Sequence, residues 1–281
     1  MPAIRRQIRA RPLLAFGLLA YGISWFFWLP ALLYQGAANP AISLLIIAGG
    51  FGPPVGAGIV IGMAEGRPGL RRWFGRIVQF RAPWHSYLFA VAWPIAAGAV
   101  VWIVNSALGG DLPPDWSAPP LLAYPLAWTF VLLAGGGQEE PGWRGLALPL
   151  LLKRHSPLVA SVILGLLWGL WHLPLFVSPS APQSQIPLAI YLPHVIIVSV
   201  IFTWLYLTTR GSVWLAMVLH AGLNAVTSWV PIAGGSYTLL LALLAVEMLT
   251  AVGLVLLYGA RRFVARPSAA VTEQPITQPV S

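Results

Sequence analysis

Eight apolar stretches, each long enough to cross a bilayer, dominate this 281-residue chain. They run over 13–33, 41–63, 86–108, 121–152, 157–177, 188–209, 211–233 and 236–260, each near or above the ~20 residues that a hydrocarbon core requires of a helix. Only 8% of the residues are charged, against about 25% in soluble domains. The expected fold is an all-α membrane protein, a bundle of about eight transmembrane helices around a polar intramembrane cavity.

The cations between these stretches alternate. Arg5, Arg6, Arg9 and Arg11 precede the first, and Arg67, Arg71, Arg72, Arg76 and Arg81 follow the second. Lys153 and Arg154 follow the fourth, Arg210 the sixth, and Arg261, Arg262 and Arg266 the eighth. The other connections carry none, and "GGDLPPDWSAPP" offers Asp111 and Asp115 instead. This is the positive-inside pattern, which puts both termini in the cytoplasm of a prokaryotic cell membrane. Fifteen of the 16 cationic residues are thereby topology signals, so the net charge of +9 calls for no nucleic acid. The first apolar run exceeds the ~7–15 residues of a signal-peptide core and reads as an uncleaved span.

Residues 1–266 read as a single polytopic domain, with 267–281, polar and proline-rich, a disordered cytoplasmic tail. Residues 65–84, "EGRPGLRRWFGRIVQFRAPW", read as an amphipathic helix on the inner membrane surface. The chain has no cysteine, which excludes disulfides, thiolate metal ligation and a cysteine nucleophile.

The sixteenth cation, Arg144, lies in "QEEPGWRG" (138–145), in the middle of an apolar span. Ionisable groups at membrane depth are costly and mark function by default. Glu139 stands 14 residues before Lys153, His172 15 after Pro157, and Asn224 14 after Arg210. At 1.5 Å per residue, all three lie roughly 20 Å from the cytoplasmic side, with His220 nearer 15 Å. Glu140 and Arg144 are i,i+4 and can pair on one face; so are His220 and Asn224. Glu139 is turned about 100° from Glu140, leaving one carboxylate for a cavity while the other holds the arginine. "GGG" (135–137) and Pro141 predict a kink, with Pro141 disfavouring helical geometry at Glu140. His172 alone reads as an interhelical histidine. His194 has no polar neighbour at helical spacing and reads as structural or near the outer interface. Glu247, isolated in "LLLALLAVEMLTAVG", is expected to hydrogen-bond within the bundle, outside the site.

"EEPGWR" (139–144), "WGLWH" (168–172) and "HAGLN" (220–224) together resemble the CPBP family, the CAAX proteases and bacteriocin-processing enzymes also called Abi. The family pattern is Glu-Glu-x-x-x-Arg, Phe-x-x-x-His and His-x-x-x-Asn or Asp in an eight-helix membrane core, here about 121–233. One position departs: Trp168 stands where the family commonly has Phe. The resemblance implies an intramembrane endopeptidase acting on a peptide or membrane-protein substrate in the bilayer. By that resemblance Glu139 is the base that activates water, assisted by His172. His220 and Asn224 stabilise the oxyanion, and Glu140 with Arg144 hold Glu139 in place. Members are widely labelled metalloproteases, and Zn²⁺ held by two histidines and a glutamate is possible. The chain lacks a His-Glu-x-x-His element, and no obligatory cofactor is expected. Two other readings use the same residues: a transporter with midplane acids, which would suit an internal repeat that the sequence lacks, and a non-catalytic scaffold or immunity protein on the same fold.

Overall fold

The computed structural model describes residues 2–34, 39–113 and 116–263, and they form an all-α membrane bundle without a strand. Asp115, Arg266 and the expected disordered tail lie outside the described residues. Six helical segments have the length and apolarity of a crossing: Pro12–Leu33, Pro40–Ile77, Trp84–Ala107, Leu121–Leu152, Leu188–Thr208 and Tyr237–Tyr258. Two shorter apolar helices, Pro157–Trp171 and Val213–Val226, stand where the fifth and seventh spans are expected. Both stop early, one residue before His172 and two residues after Asn224.

In chain order the helices are α1 Pro2–Ala10, α2 Pro12–Leu33, α3 Pro40–Gly49, α4 Gly52–Ile77, α5 Trp84–Ala107, α6 Tyr124–Ala134, α7 Glu140–Gly142, α8 Leu148–Leu152, α9 Pro157–Trp171, α10 Leu188–Thr208, α11 Val213–Val226 and α12 Tyr237–Tyr258. Local chemistry sets several starts. Ser156, Ser212 and Ser236 accept from the backbone N–H three residues on, at the heads of α9, α11 and α12. Proline in the first turn of α2, α3 and α9 sacrifices no hydrogen bond, because those N–H groups lack intrahelical partners.

Within α4, Gly66 takes φ 69°, ψ −157°, which interrupts the helix before the basic segment. Carbonyls freed near such a break need new donors. Arg5 and Arg9, one turn apart on α1, donate through Nε to the carbonyls of Met63 and Ala64 at 2.8 Å each. The segment after the break is helical to Ile77, somewhat shorter than the 65–84 expected. It ties to the broken fourth span, where Trp73 Nε1 donates to the Pro141 carbonyl at 2.8 Å.

Helix α10 is the buried axis, with every residue from Ile197 to Tyr206 in the core. It packs along α9 and against α12, while α5 packs on α11 and α12 and α2 packs on α4. At the open end of α9, Trp25 of α2 donates to the Trp171 carbonyl at 2.9 Å, satisfying a carbonyl that the helix no longer can. These contacts hold the ends of α9 and α11 around the break in the fourth span.

Candidate active site

The fourth span is broken where its charges lie. Helix α6 ends at Ala134, and Gly136 adopts φ 139°, a conformation that side-chain-bearing residues rarely take. A tight turn over Gly137–Glu139 follows, then α7, then a wide π-type turn over Trp143–Ala147. Such turns inside helices recur at functional sites. The break therefore falls on the glycines. Glu140 is helical (φ −60°, ψ −35°), contrary to the expectation from Pro141. Pro141 sits in the first turn of the resumed helix, where its missing N–H costs nothing.

Glu139, Glu140, Arg144, His172 and His220 are all buried. Arg144 has no exposed surface, and its guanidinium lies against two rings, 4.4 Å from the centroid of Trp168 and 4.2 Å from that of Phe202. These two cation–π contacts compensate part of its lost hydration. Nη1 donates to Glu140 Oε1 at 2.9 Å and Nη2 to Ser199 Oγ at 3.3 Å. The same Glu140 oxygen lies 2.7 Å from His220 Nδ1. A carboxylate only accepts, so Nδ1 carries the hydrogen. The i,i+4 pair thus forms, and it orients His220 rather than touching Glu139.

Glu139 is held otherwise: Trp168 Nε1 donates to its Oε2 at 2.8 Å. Arg144 reaches Glu139 through that same indole, since the guanidinium lies on the ring. His172, capping α9, has Nδ1 2.8 Å from the Trp168 carbonyl. Because a carbonyl only accepts, Nδ1 is protonated there and neutral His172 keeps a free lone pair on Nε2. Trp168 is therefore the hub, touching Glu139, His172 and Arg144.

A cavity of about 430 Å³ opens on this group. Glu139, His172, His220, Asn224 and Gln138 line it, among apolar residues of α5, α10 and α12. Glu140 and Arg144 do not line it. Asn224 Nδ2 donates to the Gly135 carbonyl at 2.9 Å, which leaves its second hydrogen uncommitted. Gly136 closes the site from below, and a Cβ there would stand 2.7 Å from Asn224 Nδ2 and collide with His220 Nε2. The chain bends at Gly136 around these two donors. Gln138 stiffens the bend by accepting from the Gly136 N–H at 2.7 Å.

All six residues singled out by the motifs gather in one region. Gln138, Ser199 and the hydrogen-bonding role of Trp168 are absent from the sequence expectations; only the polarity of Gln138 beside the two glutamates hints at one of them. Glu247 hydrogen-bonds within the bundle as expected, but its partner is His194 and the pair lies at the cavity rather than apart from it. His194 Nδ1 lies 2.7 Å from Glu247 Oε2, and both line the same cavity. Their partnership crosses from α10 to α12, so spacing within either helix carries no sign of it.

Among the described residues, no three His, Cys, Asp or Glu side chains gather as a metal-binding set. His220 Nδ1 is committed to Glu140, and Glu139 Oε2 to Trp168. These bonds leave Nε2 of His172, Nε2 of His220 and Oε1 of Glu139 as the atoms that would hold a metal, with Nδ1 of each imidazole tied to a carbonyl or carboxylate as in metal-ligating histidines.

Residues 121–226, from the start of the fourth span to the end of α11, match the family model described as Type II CAAX prenyl endopeptidase Rce1-like. This segment is similar to the CPBP family. Over 102 residues the chain is 35% identical to CAAX prenyl protease 2 of Methanococcus maripaludis, across 34% of this chain. The chain matches 37% of the length of that relative. The matched segment contains each of the six motif residues and excludes His194's partner Glu247, which lies beyond its end.

Proposed function

We propose that the protein is an intramembrane endopeptidase in which Glu139 activates water. The single observation that carries this reading is the position of Glu139: a buried carboxylate on the wall of an apolar cavity, gripped on one oxygen by Trp168, with His220 and Asn224 facing the same space. Peptide hydrolysis requires a base for water, donors for the oxyanion and an acid for the leaving amine.

Charge balance supports the division of roles. With Glu139 and Glu140 ionised and Arg144 and His220 protonated, the buried cluster is neutral, and neutrality is what an apolar setting favours. In that state His220 Nε2 carries a hydrogen. Glu139 takes a proton from water as the oxygen attacks the scissile carbonyl. The resulting oxyanion receives hydrogen bonds from His220 Nε2–H and the free Asn224 N–H. The cluster with its intermediate is again neutral. Collapse breaks the C–N bond, and Glu139 returns its proton to the departing amine. His172, its Nδ1–H tied to the Trp168 carbonyl, offers Nε2 as an acceptor that orients the attacking water. Glu140 and Arg144 position His220. No step passes through a metal or other cofactor.

The substrate is a peptide or membrane protein entering from the bilayer, with processing of a CAAX-type C-terminus or of a leader peptide as its class. Both termini lie in the cytoplasm of a prokaryotic cell membrane, following the alternation of cationic connections. Comparison of terminal peptides between cells carrying the wild type and Glu139→Ala tests the activity. New termini should be present with the first and absent with the second; identical sets would refute the reading.

A further inference from the structure

The cavity has a second polar station. Glu247 of α12 is wholly buried, and its Oε1 has no hydrogen-bond partner among the described residues. Its other oxygen meets His194 Nδ1 at 2.7 Å. The His194 side chain remains 30% accessible and lines the cavity. With Nδ1 turned to Glu247, Nε2 lies on the opposite edge of the ring.

The chemistry of that edge follows from neutrality. The pair is neutral as carboxylate and imidazolium, or as carboxylic acid and neutral imidazole with its hydrogen on Nε2. In both forms Nε2 carries a hydrogen. The alternative, with a bare Nε2 lone pair, buries an uncompensated negative charge in an apolar wall. The pair therefore offers the cavity a donor, and its ligand is an acceptor oxygen.

Distance names the oxygen. The rings of His172 and Tyr191 are centred 5.4 Å apart, and those of Tyr191 and His194 5.8 Å apart. An extended peptide advances ~3.3–3.6 Å per residue, so His194 lies no more than about three residues from the hydrolytic group. We propose that His194, held by Glu247, is a substrate-positioning residue whose Nε2–H binds an acceptor oxygen of the peptide within about three residues of the scissile bond. That oxygen is a backbone carbonyl in a longer peptide and the terminal carboxylate where the chain ends there. The inference rests on the endopeptidase reading for the location of the scissile bond.

The test uses fluorescent S-farnesyl-cysteine peptides that end one, two, three or four residues past the cysteine, as free acids and as amides. In the wild type, KM should fall about tenfold at the length that reaches His194, with kcat little changed, as one added hydrogen bond implies. His194→Phe should remove that step, so that KM no longer changes with peptide length. His194→Gln, which retains an N–H donor, should restore part of it. An equal step for acids and amides identifies a carbonyl as the ligand, and a larger step for acids identifies the carboxylate. A step that survives in His194→Phe, or no step in the wild type, overturns the proposal. So does lower thermal stability of both variants with the length dependence unchanged, which would make the pair a staple between α10 and α12. Affinities of the same peptides for Glu139→Gln read the step without turnover. A step in affinity without cleavage by the wild type would uphold the positioning role and refute the endopeptidase reading; no step in affinity would overturn the role itself.

Discussion

Trp168 Nε1 donates to Glu139 Oε2 at 2.8 Å, across the gap between α9 and the broken fourth span. The position is the one at which this chain departs from the Phe common in the CPBP family that it resembles. A phenyl ring would fill much of the same space and still lie on Arg144, but it has no hydrogen to give the carboxylate. The indole fixes which oxygen of Glu139 faces the protein and which is left for water.

Trp168→Phe isolates that hydrogen bond. The ring contacts with Arg144 and Phe202 persist in part, so the protein should fold and bind substrate. The freed carboxylate loses its orientation, and kcat should fall about 10- to 150-fold, in line with the ~1.5–3 kcal/mol of a hydrogen bond to a charged group. Unchanged kcat with a lowered melting temperature would mean that the bond serves folding alone.

Gly136 offers a second test. Alanine there is strained by φ 139° and brings its Cβ against His220 and Asn224. Gly136→Ala should abolish cleavage while costing on the order of 1–3 kcal/mol of stability, read as kcat beside thermal unfolding in detergent. Near-normal turnover would show that the oxyanion lies elsewhere.

Metal dependence is tested directly. Protein treated with a strong chelator should keep its activity on a suitable peptide if, as proposed, Glu139 and His220 act without a metal. Loss of activity that stoichiometric Zn²⁺ restores would recast His172 and His220 as ligands.

Orientation follows from the cationic connections. A reporter fused at residue 75 should read cytoplasmic and one near Asp111 should read outside. A reversed result would overturn the proposed orientation and the depths measured from it.

Much of this architecture is legible in the sequence, because a bilayer allows few solutions. Apolar length gives the crossings, and i,i+4 spacing pairs Glu140 with Arg144. What spacing does not carry is contact between helices. His220 reaches Glu140 from α11, Trp168 reaches Glu139 from α9, and His194 finds Glu247 across α10 and α12. His194 and Glu247 look isolated along their own helices, and the i,i+4 pairs on the others carry no sign of these cross-helix partners. The sequence places the kink at the glycines 135–137 and Pro141 together, and the structure breaks at the glycines. The expected loss of helical geometry at Glu140 does not follow, because the helix has already broken before Pro141 could clash with a preceding turn.

The most discriminating prediction contrasts three residues of one site. Glu139→Gln keeps size and can still accept from Trp168, but it cannot take a proton from water. Turnover should vanish while folding and substrate binding remain. Asn224→Ala removes one donor to the oxyanion and should lower kcat by on the order of 10²–10³, leaving measurable activity. Arg144→Ala has a different cause and a different signature. It strips Glu140 of its cation in a fully buried setting and empties the space against Trp168 and Phe202. Removing one member of a buried ion pair costs about 3–5 kcal/mol, so thermal stability should fall together with activity. The three variants, compared by kcat, substrate affinity and unfolding temperature, should separate into base, donor and support. Near-wild-type cleavage by Glu139→Gln would move the base to another group. Equal destabilisation of all three, with no difference in residual activity, would make the cluster a structural staple and favour the scaffold reading.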